Sequence, residues 1–221
     1  MLVLPLGVLS LRASAQDPVA ADAAAKEAKE ASATESKGMP PRATPGDYQA
    51  HTQAGSLTLA AEFMGHAVTT PEAPYSTEDF VIVEAGLFGP PQARLNMSTG
   101  DFSLRVNGKK MALPSQPYGL LFSSLKDPEW EPPSKPKEDK PTLDAGGGKP
   151  DDSFHPIVHM PIELKRIMQQ RVQRASMPEG DRALPEAGLL FFEYRGKAES
   201  IRSLELIYSG PGGNATLALQ P

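Results

Sequence analysis

The chain has 221 residues, a formal net charge of −5 and no cysteine. Without cysteine it has no disulfide bridge, no zinc–thiolate site, no thiol catalysis and no lipid-modified N-terminal cysteine. The acidic balance argues against general nucleic-acid binding, which needs a clustered excess of Lys and Arg.

An apolar run opens the sequence at residues 2–11. Its length matches the core of a signal peptide and is too short to cross a bilayer of ~30 Å as a helix. Ala-Ser-Ala at 13–15 supplies a small-x-small cleavage pattern. We therefore predict a signal peptide over residues 1–15 and export to the periplasm or the cell exterior. No Lys or Arg precedes the run, so the alternative is a short buried segment of the fold.

Residues 16–55 are rich in Ala, Glu, Lys, Ser and Pro. Within them, residues 21–31 (ADAAAKEAKEA) have strong helix propensity but no apolar stripe with which to dock. We predict a disordered spacer over residues 16–55 and a folded domain over residues 56–221.

The domain begins with two segments of strand-like sequence. Residues 56–63 (SLTLAAEF) alternate with period 2, which predicts a half-buried strand. Residues 80–88 (FVIVEAGLF) are apolar on both faces and rich in β-branched and aromatic residues, which predicts a central strand. The predicted inward residues of the first strand are Leu57, Leu59, Ala61 and Phe63.

A hairpin is predicted next, in DFSLRVNGKKMAL (residues 101–113). Asn107-Gly108 best tolerates positive φ at both central positions of a tight turn. The return strand is predicted over residues 109–113. Further candidate strands lie at residues 94–98 and 120–125.

The composition changes at residues 127–156, which are rich in Pro, Lys, Asp, Glu and Gly. Such a stretch has little to bury. Strand-like sequence lies on both sides of it, so we interpret it as a flexible loop within one domain.

Residues 161–175 (PIELKRIMQQRVQRA) predict one helix. Pro161 suits the first helical position, and Glu163 lies in the first turn. We expect the apolar stripe to pack against an edge or end of the sheets. The apolar stripe consists of Leu164, Ile167, Met168, Val172 and Ala175; the basic face consists of Lys165, Arg166, Arg171 and Arg174.

The chain ends with three predicted strands, at residues 189–194, 203–208 and 215–219. In total the pattern gives about eight strands joined by short turns, with one helix in a long connection. It favours an antiparallel sandwich of two sheets over alternating βαβ units.

The phrases GDFSLRVNGKK, AGLLFFEYRG, SIRSLELIY and ATLAL resemble a family of uncharacterised bacterial exported proteins. More distantly, they resemble the immunoglobulin-like domains of bacterial secreted proteins. This resemblance implies an immunoglobulin-like β-sandwich of about 7–9 strands outside the cytoplasm. It implies no activity, so no functional residue is carried over. The chain departs from antibody-type domains in lacking their disulfide bridge.

The candidate metal ligands are four histidines, His51, His66, His155 and His159. In an extended chain the last two lie about 13 Å apart, too far to share one ion, and the prolines at 156 and 161 disfavour a helix spanning both. The sequence has no Gly-x-Ser-x-Gly elbow and no phosphate-binding loop. We therefore predict no catalytic, metal or cofactor-binding residue.

Two features predict an interaction surface. The basic face of the helix (Lys165, Arg166, Arg171, Arg174) suits an acidic partner or anionic lipid; the alternative is an ordinary solvated face. Trp130 either contacts a ligand or covers the end of the core.

Our leading prediction is a non-catalytic module that contacts a protein or the cell envelope. The alternatives are a carbohydrate-active or metal-dependent hydrolytic domain, and peripheral membrane association through helix 161–175.

Overall fold

The structure, a computed structural model, describes residues 37–128, 130 and 160–221. Within them lie thirteen β-strands, one α-helix and four short 3₁₀ turns. The strands are β1 (Ala50–Ala54), β2 (Leu57–Gly65), β3 (Ala67–Thr69), β4 (Pro74–Thr77), β5 (Phe80–Phe88), β6 (Arg94–Met97), β7 (Phe102–Val106), β8 (Leu113–Gln116), β9 (Leu125–Lys126), β10 (Gly180–Ala183), β11 (Glu186–Glu193), β12 (Leu204–Gly210) and β13 (Gly213–Leu219). The α-helix is α1 (Ile162–Ala175), and the 3₁₀ turns are Pro45–Asp47, Thr99–Asp101, Tyr118–Ser123 and Ala198–Ser200.

Eight strands form the main sheet in the order β1-β2-β5-β11-β8-β7-β12-β13, and all of their pairings are antiparallel. The two outermost strands approach each other. The side-chain amide of Gln49, just before β1, donates to the Gln220 carbonyl at 2.9 Å, and the Gln220 amide donates back at 3.3 Å. The sheet is therefore curled into a near-barrel.

The prediction of a mostly antiparallel β-protein with one main helix is confirmed, whereas the immunoglobulin-like sandwich is not. Most of the predicted core strands share one sheet, whereas β6, whose Leu95 and Met97 enter the same core, pairs with β10 in a separate two-stranded sheet. The short strand β8 joins its two halves, with two residue pairs to β11 and two to β7. Alternating sequence fixes which face of each strand is buried. It does not distinguish two facing sheets from one strongly curled sheet.

The interior of the near-barrel is filled by alternate side chains of the main strands. Leu57, Leu59 and Ala61 of β2 are buried, as predicted, and Phe63 is partly buried. Their facing partners come from both ends of the sheet. Among these partners are Val81, Val83, Leu87, Leu104, Phe192, Leu206 and Leu217.

A second core lies on the outer face of β5 and β11, under α1. Met168, Val172 and Ala175 of α1 are buried in one apolar cluster with Ile82 and Phe191. The small sheet β3-β4-β9 completes this cluster. We expected the helix at an edge or end of the sheets. It lies instead over the two central strands, because both faces of these strands are apolar.

The predicted helix is confirmed with small differences. It begins at Ile162, with Pro161 as its N-cap and Glu163 in its first turn. Within the predicted stripe, Leu164 is partly buried and Ile167 is 43 % exposed. The buried stripe is therefore narrower than predicted.

Two predicted strands differ from the structure. Asn107 and Gly108 have φ of 53° and 65°, as the tight turn requires, but the return strand β8 begins at Leu113 and not at residue 109. Residues 120–125 form the end of a 3₁₀ turn followed by the first residue of β9. Pro117 caps that turn. A short apolar run fits a turn as well as a strand, and here Leu121 is buried from within the turn.

The folded part begins earlier than Ser56. β1 and the buried Tyr48 lie within the residues 16–55 that we predicted as spacer. The segment 37–48, which we name the strap, is fastened to the sheet by its Met39 amide, which donates to the Ala187 carbonyl at 2.7 Å. The predicted signal peptide, residues 16–36 of the spacer and most of loop 127–156 lie outside the described residues. No helix in the described part is long and apolar enough to span a membrane.

Candidate interaction surfaces

The structure divides the predicted basic face of α1 into two halves. In the C-terminal half, Arg171 Nη1 donates to the Tyr75 hydroxyl at 2.9 Å, and Arg174 Nη2 lies 3.3 Å from Glu72 Oε1. The hydrogen bond to Tyr75 raises the pKa of Arg171. Arg171 fastens α1 to β4, and Arg174 forms a weaker, half-exposed pair with Glu72 in the turn between β3 and β4.

The N-terminal half of α1 exposes both apolar and cationic side chains. Lys165 and Arg166 are exposed, and within the described residues neither forms an ion pair. Ile162 is 79 % exposed and Ile167 is 43 % exposed. Ile162 lies three and four residues before the two cations, so all three share one helical face. We name Ile162, Lys165, Arg166 and Ile167 the helix patch.

A groove of about 200 Å³, with polar and apolar surface in nearly equal parts, borders the helix patch. It runs between α1 and the segment that contains the Tyr118–Ser123 turn and β9. Lys165 belongs to both the groove and the patch. The lining residues are Phe122, Ser123, Leu125, Met160, Lys165 and Met168.

Trp130 is partly buried, and its amide donates to the Asp127 carbonyl at 3.2 Å. The residues on both sides of it lie outside the described part of the chain. Both interpretations of Trp130, ligand contact and cover of the core, stay predictions.

Two of the four histidines are described, and they lie far apart. His51 of β1 lies opposite Ala60 of β2. His66 lies six residues after Ala60 along the chain. At ~3.3 Å per residue, this separation is about 20 Å. Within the described residues, no group of three or more His, Asp or Glu side chains is placed to hold a metal ion.

His66 has a structural position. Its Nδ1 lies 2.7 Å from the Phe80 carbonyl oxygen, and its Nε2 lies 3.0 Å from the Gly196 carbonyl oxygen. The ring thereby connects the start of β5 to the loop after β11. Both ring nitrogens face backbone oxygens, so neither is turned toward an open metal position.

Two carboxylates, Glu62 and Glu84, converge on one cation. They are direct neighbours in the β2–β5 register. Arg42 of the strap donates to both Glu84 oxygens, at 3.2 and 2.8 Å, and lies 2.5 Å from Glu62. Its guanidinium also stacks over the Tyr48 ring at 4.5 Å from the centroid. Sequence reasoning missed this cluster: Glu62 lies on the polar face of its predicted strand, whereas Glu84 lies on a largely apolar face of the next one.

The charged groups of this cluster are paired with one another, as is typical of a site that stabilises the fold. The side chain of Glu84 is 7 % exposed. Its hydrogen bond raises the pKa of Arg42, and burial raises the pKa of Tyr48. Both oxygens of this buried carboxylate accept from one guanidinium, so its charge is already compensated within the protein. The cluster therefore holds the strap on the sheet.

A second charged surface, also missed by the sequence reasoning, lies where two loops meet at one end of the near-barrel. These are residues 107–112, between β7 and β8, and residues 194–203, between β11 and β12. The Asn107 side chain joins them: Nδ2 donates to the Ser200 carbonyl at 3.1 Å, and Oδ1 accepts from the Arg202 amide at 2.7 Å. We name the exposed cations of these loops, together with Met111, the basic end.

The basic end concentrates positive charge in an acidic chain. The two loops carry five basic side chains and one acidic side chain, Glu199. All five basic side chains are exposed. Each loop alone looked like an ordinary turn, and 82 or more residues of sequence separate them. The basic residues are Lys109, Lys110, Arg195, Lys197 and Arg202.

Two open clefts flank the loop after β11. One, of about 680 Å³, includes Lys109, Gln116, Tyr194 and Arg195 in its lining. The other, of about 880 Å³, includes His66, Glu78 and Lys197 and shares Arg195 with the first. Both clefts are lined by charged residues of both signs, and more of their wall surface is apolar than polar.

Comparisons of the chain with family models, with curated proteins and with solved structures found no match.

Proposed function

We propose that the protein is a non-catalytic, exported binding module whose helix patch contacts an acidic protein partner of the cell envelope or the extracellular space. The observation that carries this proposal is the exposed Ile162 beside Lys165 and Arg166, which have no ion pair within the described residues. Ile162 and Ile167 are both exposed on this surface, and its uncompensated cations attract a partner of opposite charge.

The groove beside the patch favours a protein over a lipid surface. It offers a recess for side chains between apolar residues such as Phe122 and Leu125, with Lys165 at its border. Protein partners commonly place apolar anchors in such recesses, surrounded by complementary charge. We infer that the partner presents apolar side chains flanked by Asp or Glu.

Peripheral membrane association through helix 161–175 is the second candidate. The exposed Ile162 and Ile167 support it. Arg171 and Arg174 weaken it, because they bind Tyr75 and Glu72 and leave two free cations on the helix. The hydrolytic alternative gains no support from Glu62 and Glu84, because both carboxylates are already paired with Arg42.

Export and the immunoglobulin-like class are parts of this proposal. The signal-like residues 1–15 support export. The alternating strands and the two halves of the main sheet, joined by the short β8, support a sandwich-like classification.

Site-specific photocrosslinking of the full chain in an envelope fraction tests the helix patch. A photoreactive residue at Arg166 is expected to give a discrete cross-linked band, whereas the same residue at the exposed Asp181 gives none. Adding Ile162→Ser and Lys165→Glu is expected to abolish the band. Salt is expected to weaken it, because ions screen exposed charges.

Equal bands from positions 166 and 181, or a band that survives both substitutions, would rule out the helix patch. The substituted residues are exposed, so the free energy of unfolding is expected to change by no more than about 0.5 kcal/mol. Thermal unfolding of each variant checks that the fold is retained.

A further inference from the structure

We propose that the basic end binds the surface of an anionic phospholipid membrane, with Met111 entering the interfacial layer and the surrounding cations facing the headgroups. This surface and partner differ from those of the helix patch, and the inference does not depend on the proposed function.

The first support is electrostatic. Four of the five cations, Lys109, Lys110, Lys197 and Arg202, have no ion pair within the described residues. Arg195 lies 3.3 Å from Glu193 and 3.7 Å from Asp79, and the side chains of all three are substantially exposed. Exposed pairs of this kind are weak and leave the cation available to other anions.

The charge of the whole chain orients the protein relative to an anionic surface. The net charge is −5 although the basic end is strongly positive, so the rest of the sequence is markedly acidic. An anionic surface repels that remainder and attracts the basic end. The protein is therefore expected to approach such a surface with these two loops first.

The second support is Met111. It is 85 % exposed, more than the other large exposed hydrophobic side chains of the described residues, and it directly follows two exposed lysines. An apolar tip beside lysines fits the membrane interface, where the tip is buried and the ammonium groups stay at headgroup level. A hydrophilic polyanion gives Met111 no apolar environment, and this favours lipid over a soluble acidic polymer.

The third support is that the loops are held in place before binding. The Asn107 amide donates to the Ser203 carbonyl at 2.9 Å, in addition to the two side-chain bonds described above. Asn107 Oδ1 also accepts from the Ser203 amide at 3.3 Å. A surface that is already ordered loses little conformational entropy on binding.

Co-sedimentation of the full chain with vesicles tests the proposal. We expect binding to mixed phosphatidylcholine–phosphatidylglycerol vesicles at low salt, and none to pure phosphatidylcholine. The double variant Lys109→Glu/Lys110→Glu is expected to lose at least about tenfold in partition coefficient, since each basic residue near an anionic surface contributes appreciably. Met111→Ser is expected to lose about threefold or more with no change of charge.

The matched control is Lys165→Glu/Arg166→Glu, which makes the same charge change on α1. We expect its partition coefficient to stay within about twofold of the unsubstituted protein, because the binding charges are local. Thermal unfolding of each variant verifies that these exposed substitutions leave the fold intact.

Four outcomes would overturn the proposal. No binding to the anionic vesicles excludes it directly. An equal loss in both charge-reversed variants means that only net charge matters, and a loss confined to the α1 variant transfers lipid binding to the helix. Strong competition by soluble heparin, together with no effect of Met111→Ser, identifies a site for a soluble polyanion.

Discussion

Glu84 lies in the middle of β5, whose residues 80–87 are all buried, and it is the only charged residue of that run. A buried carboxylate without a partner is costly. Its partner, Arg42, comes from the strap, a segment whose composition indicates a spacer. The sequence shows Glu62 on the polar face of its strand and Glu84 as one charge within an apolar strand. The contact with Arg42 is not, because composition carries no information about which distant residue reaches a buried charge.

Replacing Arg42 with Ala is expected to lower the free energy of unfolding by about 3–5 kcal/mol, because it leaves Glu84 buried and unpaired. The matched control is Arg94→Ala. Arg94 pairs with Asp181 at 2.8 Å, but both side chains are more than half exposed, so its loss is expected to cost less than about 1 kcal/mol. Urea unfolding measures both changes. Adding Glu84→Gln to Arg42→Ala is expected to recover part of the lost free energy of unfolding. Similar losses in Arg42→Ala and Arg94→Ala would contradict the role of Arg42 as the partner of the buried Glu84.

Among the elements, α1 followed the sequence most closely and the segment after β7 least closely. Helical periodicity is a local property, and the sequence of residues 161–175 shows it clearly. Residues 120–125 are also rich in apolar residues and were predicted as a strand. They form instead part of a 3₁₀ turn and the start of β9. Short apolar runs fit several structures, and packing under α1 selects one of them.

Met168→Ala is expected to lower the free energy of unfolding by about 2–4 kcal/mol, because Met168 is 2 % exposed in the cluster beneath α1. Ile167→Ala, one residue earlier, is expected to cost less than about 1 kcal/mol, because Ile167 is 43 % exposed. Chemical denaturation of the two variants compares neighbouring positions of one helix. Equal losses would mean that the helix is rotated relative to the described packing.

At the scale of the whole molecule, the near-barrel depends on contacts between distant parts of the chain. β1 pairs with β2 along five residues, and its N-terminal neighbour Gln49 reaches Gln220 at the far end of the sequence. The strap is bound to the outer face of the main sheet through Met39 and Arg42. The strap and β1 therefore belong to the cooperative fold.

A chain of residues 37–221 is expected to unfold cooperatively at a temperature close to that of the full protein. A chain of residues 56–221, which lacks β1 and Arg42, is expected to be strongly destabilised or unfolded, since β2 loses its β1 partner and Glu84 its cation. Thermal unfolding and amide hydrogen exchange of β2 and β5 measure the difference. Equal stability of the two chains would show that the strap and β1 are dispensable.

The sequence by itself determined the elements whose pattern is local: the core strands β2, β5, β7, β11, β12 and β13, their buried faces, and α1 with its central stripe. Alternation and helical periodicity record what each segment buries, and that information lies within a few residues. The tertiary structure alone decided that these strands curl into one sheet, that a spacer-like segment supplies Arg42 to Glu84, and that two distant turns unite as the basic end. These are relations between segments far apart in sequence, and they are fixed by packing and charge pairing after the local elements exist.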